Sequence, residues 1–197
     1  MKILFVCTGN TCRSPMAEGI LKSKSDHEVK SAGIIATDGV PTNEKAINVL
    51  KNDDIDYSGE SQGLTAELVA WADLILTMTN QHKHAVISLY SDSFGKTYTL
   101  KEYVNKEVEE IWQALKKAHL KLEEKRTLVN KEHGYELTEH ELRAFFREEQ
   151  DEIARLEEKL PNLDIADPFG LDESAYEQAF TEIKTAIDEL LKILADS

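Results

Sequence analysis

The sequence predicts an α/β fold: a four-stranded parallel sheet covered by helices on both faces, with an antiparallel helical hairpin inserted into it. Two observations carry that reading. Short apolar runs of strand length alternate along the chain with stretches of helical period, the pattern of strands joined by crossover helices. Between Asn105 and Leu160 the pattern changes to two long helical repeats in which nearly half of the residues are charged, against 30% for the whole chain.

The elements follow in order. "KILFV" (Lys2 to Val6) reads as a buried strand, and "PMAEGILKSK" as a helix opening on Pro15, since proline suits a first helical position. "EVKSAGI" from Glu28 reads as a second strand. "NEKAINVLKN" (Asn43 to Asn52) is helical, with Ala46, Ile47 and Leu50 on one face. "ADLILTM" (Ala72 to Met78) is apolar nearly throughout and reads as a central strand. "NQHKHAVISLY" reads as helix and "KTYTL" (Lys96 to Leu100) as a short strand. The last stretch returns to helical period through Tyr176, Phe180, Ile183, Ile187, Leu190 and Leu194. Ser174 and Glu177 stand at capping-box spacing before it.

These elements form one α/β domain from residues 1–104 and 161–197, interrupted by residues 105–160. Within the interruption, Val104, Val108, Ile111, Leu115, Ala118 and Leu122 recur at spacings of four and three. Leu142, Phe146, Ile153, Leu156 and Leu160 repeat the rhythm around a polar Glu149. Thr138 and Glu141 make a capping box, Gly134 suits the turn, and Pro161 stops the second helix. The segment reads as a hairpin with a coiled-coil-like seam. It is either a solvated spacer or a surface for a protein partner or a second copy of the chain.

Composition narrows the function classes. The formal net charge is −14, a poor match for nucleic acid or an anionic membrane surface, both of which call for basic patches. The start, "MKILFVC", is too short for a signal sequence, and no apolar run is long enough to span a bilayer. A cytoplasmic protein is expected, in which thiols stay reduced and cysteines serve chemistry more often than structure.

Both cysteines of the chain fall in "VCTGNTCRSP", at Cys7 and Cys12, directly behind the first strand. A strand running through a glycine-containing loop into a helix aims several backbone N–H groups at one point, and the helix N-terminus adds a positive partial charge. That cradle, from Thr8 through Gly9, Asn10, Thr11 and Cys12 to Ser14, suits a phosphate dianion. The same field favours the thiolate form of Cys7, the nucleophilic form. Arg13 carries the planar fork that binds two phosphate oxygens at once, and Ser14 can donate a hydrogen bond to the Cys7 sulfur. No Walker phosphate loop is present. His82 and His84 lie two apart and face different sides of a helix, so no metal site is predicted, and no cofactor is implied. Trp71 and Trp112 read as packing residues.

Cys7, "TGNTC", Arg13 and Ser14 resemble the signature of the low-molecular-weight protein phosphatase family: cysteine, five residues, arginine, then serine or threonine. "SAG" at Ser31 to Gly33 also resembles the family, in which the serine helps an asparagine, here Asn10, hold the loop. "DPFG" at Asp167 to Gly170 is similar to its general-acid loop. The resemblance covers Met1 to about Val104 and resumes near Asp164, and it implies the low-molecular-weight phosphatase fold. It implies attack by Cys7 on phosphorus with Arg13 holding the phosphoryl oxygens, a phosphocysteine intermediate, and Asp167 as general acid and then base.

Position 11 bears on the substrate. Phosphotyrosine-directed members carry an aliphatic residue there. Thr11, together with "MTNQHK", "LKEYV" and the Phe169 and Gly170 that follow the Asp-Pro pair, resembles the bacterial protein-arginine phosphatase branch. The resemblance therefore implies phosphoarginine in proteins, with phosphotyrosine as the alternative and Thr11 and Phe169 as specificity residues. Cys12 is either a redox partner that captures an oxidised Cys7 or a packing residue. Arsenate reduction would need further cysteines to relay a disulfide, and a non-catalytic phosphate-binding scaffold would leave the full set of Cys7, Arg13, Ser14 and Asp167 without use.

Overall fold

β1 (Lys2–Cys7) is buried from Ile3 through Val6, the state of a strand whose sheet is covered on both faces. In the computed structural model, which describes residues 1–133 and 139–195, β1 lies inside a four-stranded sheet of order β2-β1-β3-β4. Its neighbours are β2 (Glu28–Gly33) and β3 (Leu74–Thr77), and β4 (Thr97–Thr99) forms the far edge. Every pairing is parallel.

Alternation along β1 divides the core in two. Ile3, Phe5 and Cys7 join Met16, Ile20, Leu50, Tyr176 and Ile183, on the face covered by α1 (Arg13–Lys24), α2 (Glu44–Asn52) and the last helix, α8 (Glu173–Ala195). Leu4 and Val6 join Ala32, Val69, Ile75 and Val86, on the face of α3 (Ala66–Trp71) and α4 (Asn80–Leu89). α5 (Leu100–Val104) packs beside α8. Buried side chains of Leu, Ile or Phe size contribute about 1.5–3 kcal/mol each, so α8, with Tyr176, Phe180, Ile183, Ile187 and Leu190 all inward, is a principal stabiliser. Cys7 ends β1 opposite Gly33, at the carboxyl edge of the sheet where ligands of open α/β folds bind.

Several boundaries differ from the sequence reading. α1 begins at Arg13, so Pro15 is its third residue; the N–H that proline lacks has no intrahelical partner in the first turn anyway. In α2 Val49 is buried where Ile47 is only partly so. The α8 cap is Asp172, whose carboxylate accepts from Ala175 N at 3.1 Å and Ser174 Oγ at 2.8 Å. Ser174 is thus a second residue of the helix, and a charged acceptor takes the capping place. α3, α5 and a 3-10 turn at Ser91–Lys96 are too short to show a period, which is why the sequence pattern passes over them.

The chain divides into two compact units, Met1–Val104 with Leu163–Ser197, and Asn105–Asn162. The second unit is a pair of helices, α6 (Lys106–His133) and α7 (Glu139–Glu157). Its seam buries Leu115, Ala118, Leu122, Val129, Phe146 and Ile153. Lys125 pairs with Glu149 at 2.7 Å and Lys121 with Glu152 at 3.8 Å; one number rises as the other falls, so the helices are antiparallel. Glu149 is buried, and its carboxyl is held below the usual range by the hydrogen bond from Lys125. The polar break in the apolar rhythm is therefore an ion pair set between Leu122 and Val129. Val104 packs with the sheet core and not in this seam. Gly134 and Thr138, and the side chains of Glu141 and Leu142, lie outside the described residues.

Candidate active site

The loop from Thr8 to Cys12 closes around Asn10, which holds a left-handed φ of 55° and is 1% exposed. That conformation, tolerated by asparagine, turns the side chain inward. Its Nδ2 donates to Ser14 Oγ at 3.0 Å and to Ser31 Oγ at 2.8 Å, and its Oδ1 accepts from Gln62 N at 2.9 Å. Ser31 Oγ in turn donates to Glu18 Oε2 at 2.6 Å, where Tyr57 OH also donates at 3.1 Å. Burial, with the Glu18 charge beside it, pushes the Tyr57 hydroxyl well above its usual range.

This network has one consistent direction. The Glu18 carboxylate only accepts, so Ser31 must donate to it and accept from Asn10. The Asn10 amide spends both hydrogens on serines, so Ser14 accepts from it and keeps its own hydrogen for Cys7 Sγ, 2.9 Å away. Asn10 N adds a second donor to that sulfur at 3.3 Å. Two donors on one sulfur stabilise a thiolate.

The loop also fits closely against β2. A Cβ on Gly33 would stand 2.7 Å from Thr8 O and 2.9 Å from Asn10 N, so the glycine of "SAG" permits backbone contact. Thr8 O accepts from Ile35 N at 2.9 Å.

Arg13 is 4% exposed. Its NH1 donates to Ile165 O at 3.1 Å and its NH2 to Asp167 Oδ2 at 2.7 Å. The other carboxylate oxygen of Asp167 accepts from Phe169 N at 3.1 Å, and Gly170, at φ 79°, completes the turn. The base of this segment is anchored from three directions. Ile165 N donates to Met78 O at 2.8 Å, Asp164 Oδ1 accepts from Asn80 N at 2.7 Å, and Asp164 O accepts from Lys101 Nζ at 3.0 Å. Lys83 and Glu102 join α4 to α5 at 2.8 Å, so "MTNQHK" and "LKEYV" meet behind the segment that carries Asp167.

Cys7, Thr8, Gly9, Thr11, Cys12, Arg13, Asp167 and Phe169 line one cleft of about 350 Å³, with Ile35, Thr37 and Val40 completing its walls. The side chains of Asn10, Ser14 and Ser31 do not line it. They are buried beneath the loop, where the inward turn at Asn10 makes them loop supports and partners of Cys7. Cys12 Sγ lies 3.3 Å from Tyr176 OH, and burial pushes its thiol up. Tyr176 is raised as well, again chiefly by burial.

His82, read from the sequence as a bland helical residue, is a correction. It is 7% exposed, and its Nε2 lies 2.8 Å from Thr8 Oγ1. Burial and the nearby Arg13 charge lower it to about 4, so the imidazole is neutral. Its signal was hidden because the contact joins residues 74 positions apart. Glu18, Tyr57 and Gln62 were missed for the same reason; position in a sequence does not reveal a tertiary hydrogen-bond partner. Among the described residues no group of three His, Cys, Asp or Glu side chains is placed to hold a metal ion.

The profile of the family described as low molecular weight phosphotyrosine protein phosphatase matches residues 2–133. The chain belongs to that family. Low molecular weight phosphatases are hydrolases of phosphorylated proteins, and two curated relatives differ in the substrate their names give. The chain is 43% identical over 106 residues to a protein-arginine-phosphatase of Geobacillus stearothermophilus, covering 53% of this chain and 72% of the relative. It is 39% identical over 105 residues to the low molecular weight protein-tyrosine-phosphatase PtpB of Staphylococcus epidermidis, covering 53% of this chain and 74% of the relative. Among solved structures, the YwlE arginine phosphatase C7S mutant with a phosphorylated active-site serine aligns at TM-score 0.69 and 29% identity, over 99% of this chain and 96% of that one. The family profile stops short of Asp167, whose place beside Arg13 comes from the geometry alone.

Proposed function

We propose that this low molecular weight phosphatase hydrolyses phosphoarginine in proteins through a phosphocysteine formed on Cys7. The observation that carries the proposal is the Cys7 sulfur, which receives hydrogen bonds from Ser14 Oγ and Asn10 N and shares a cleft with Arg13 and Asp167. Attack of the sulfur on phosphorus breaks the N–P bond, and the electron pair leaves with the guanidino nitrogen, which takes a proton from Asp167. A water then gives its proton to Asp167 and attacks phosphorus; the S–P bond breaks and the thiolate is restored with release of phosphate. Arg13 and the loop N–H groups hold the equatorial oxygens throughout. Because Arg13 pairs with Asp167 in the structure, an incoming phosphoryl group takes over the guanidinium and frees the carboxyl to carry a proton.

Thr11 and Asp167 favour the guanidino leaving group. The Asp167 side chain is 51% exposed at the cleft mouth, where it can pair with a cationic guanidinium, and Ile35, Val40 and Phe169 offer apolar surface along the methylene stem. Those same apolar walls suit an aryl ring, so phosphotyrosine is the second reading. Matched peptides bearing one or the other modification separate the two, and Cys7→Ser, which should bind phosphate or vanadate without turning over, tests the nucleophile. The cytoplasm, which keeps Cys7 and Cys12 as thiols, is the compartment this chemistry requires. Among the described residues no helix is long and apolar enough to cross a membrane.

The finer role of the hairpin belongs to the same proposal: it directs the enzyme to a protein partner or a second copy. Trp112, Leu120 and Leu128 of α6 are 42–57% exposed, which supports a contact surface better than an inert spacer.

A further inference from the structure

Thr8 follows the nucleophile and lines the cleft, yet its hydroxyl has no role in the chemistry described so far. Among the described residues its hydroxyl pairs with the His82 side chain, Nε2 lying 2.8 Å away, and the other ring nitrogen, Nδ1, is buried with no hydrogen-bond partner. Those two facts decide the direction of the bond. A buried N–H left without an acceptor costs more than a bare lone pair and is the rarer outcome in native structures. Nδ1 is also the ring nitrogen nearer the backbone. His82 is the third residue of α4, whose capping residue Thr79 accepts from His82 N, so Nδ1 sits in the positive field of that helix start. A lone pair is favoured there over a hydrogen. The proton therefore resides on Nε2, Nε2–H donates to Thr8 Oγ1, and the Thr8 hydroxyl keeps its hydrogen.

We propose that Thr8 Oγ–H is a catalytic donor to a phosphoryl oxygen, and that His82 is the positioning residue that aims it. With one lone pair fixed by His82, the hydroxyl hydrogen turns away from the imidazole, and the cleft that Thr8 lines is where an oxygen acceptor arrives. The ring stays neutral through the pH range in which a phosphatase works, so this orientation holds throughout it. The inference rests on the reading of the cleft as a phosphoryl site and is independent of whether arginine or tyrosine carries the phosphate.

The test measures vanadate inhibition and kcat/KM on p-nitrophenyl phosphate in Thr8→Val, Thr8→Ser, His82→Ala, His82→Gln and the Thr8→Val/His82→Ala double variant. Thr8 is exposed, so its substitution to an isostere leaves the fold intact. Loss of a hydrogen bond to a charged group predicts roughly 10- to 100-fold weaker vanadate binding in Thr8→Val. Thr8→Ser should stay near the parent, and His82→Gln, which keeps an N–H donor, should fall between the parent and His82→Ala. In the Thr8→Val background, His82→Ala should cost nothing further. Vanadate affinity within twofold of the parent in Thr8→Val, or a His82→Ala loss that persists undiminished in the double variant, would overturn the proposal. A parent chain without vanadate-sensitive turnover would instead overturn the phosphoryl-site reading, and this inference with it.

Discussion

Two hydrogen bonds reach the Cys7 sulfur, and the buried Arg13 lines the same cleft; in the proposed reading these two are the chemical centre and single residues around them bear on selectivity. Thr11 stands on the cleft wall, where a polar side chain disfavours an aryl ring and tolerates a hydrated guanidinium. Thr11→Ile is expected to shift the ratio of specificity constants for phosphoarginine and phosphotyrosine toward tyrosine by roughly 10–200-fold; an unchanged ratio removes Thr11 from the account. His82 makes a second prediction. Its unfolded form takes a proton near pH 6.5 and its folded form only near 4. The unfolded state thus binds more protons across that window, and stability is lost as pH falls from 6.5 to 4. The full difference is on the order of 3 kcal/mol. Urea midpoints at pH 7 and 4.5 should show this component in the parent and lack it in His82→Gln. Cys7, Arg13 and Ser14 stand out in the sequence because they fall within eight positions of one strand–loop–helix stretch. His82 and Glu18 do not, because each acts through a partner on another element.

At the scale of elements, the strand–loop–helix unit of β1 and α1 is packed closely against β2. Gly33 faces Cys7 across the sheet, and an alanine there would drive its Cβ into Thr8 O and Asn10 N. Gly33→Ala should cost about 1–3 kcal/mol of stability. The loop backbone is what must move, so aryl phosphatase activity should fall more than stability does. Normal activity with normal thermal stability would show that the contact is not constraining. The alternating strands and long helices were readable from periodicity, and so was the seam of α6 and α7. The start of α1, the Asp172 cap and the three short helical turns were not, since each depends on one or two hydrogen bonds without a repeating pattern.

On the scale of the whole molecule, the chain joins a phosphatase unit to a helical hairpin that completes its own seam. The flanks of the insertion are tied within the first unit, where Lys101 Nζ donates to Asp164 O at 3.0 Å, so a short linker can bridge them. Replacing Asn105 to Leu160 with Gly/Ser should leave a folded enzyme that still hydrolyses small aryl phosphates. It should lose rate on some phosphoproteins or change its mass in solution; unfolding, or identity with the parent on every substrate and in mass, contradicts a recruiting role. The proposed activity, a Cys7 phosphatase selective for phosphoarginine, can be tested more directly. Its test is kcat/KM of the intact chain on two peptides of one sequence, one phosphorylated on arginine and the other on tyrosine. The expected result is a preference of about tenfold or more for phosphoarginine, with both activities abolished in Cys7→Ser. Equal or reversed constants, or turnover that survives the loss of Cys7, would contradict it.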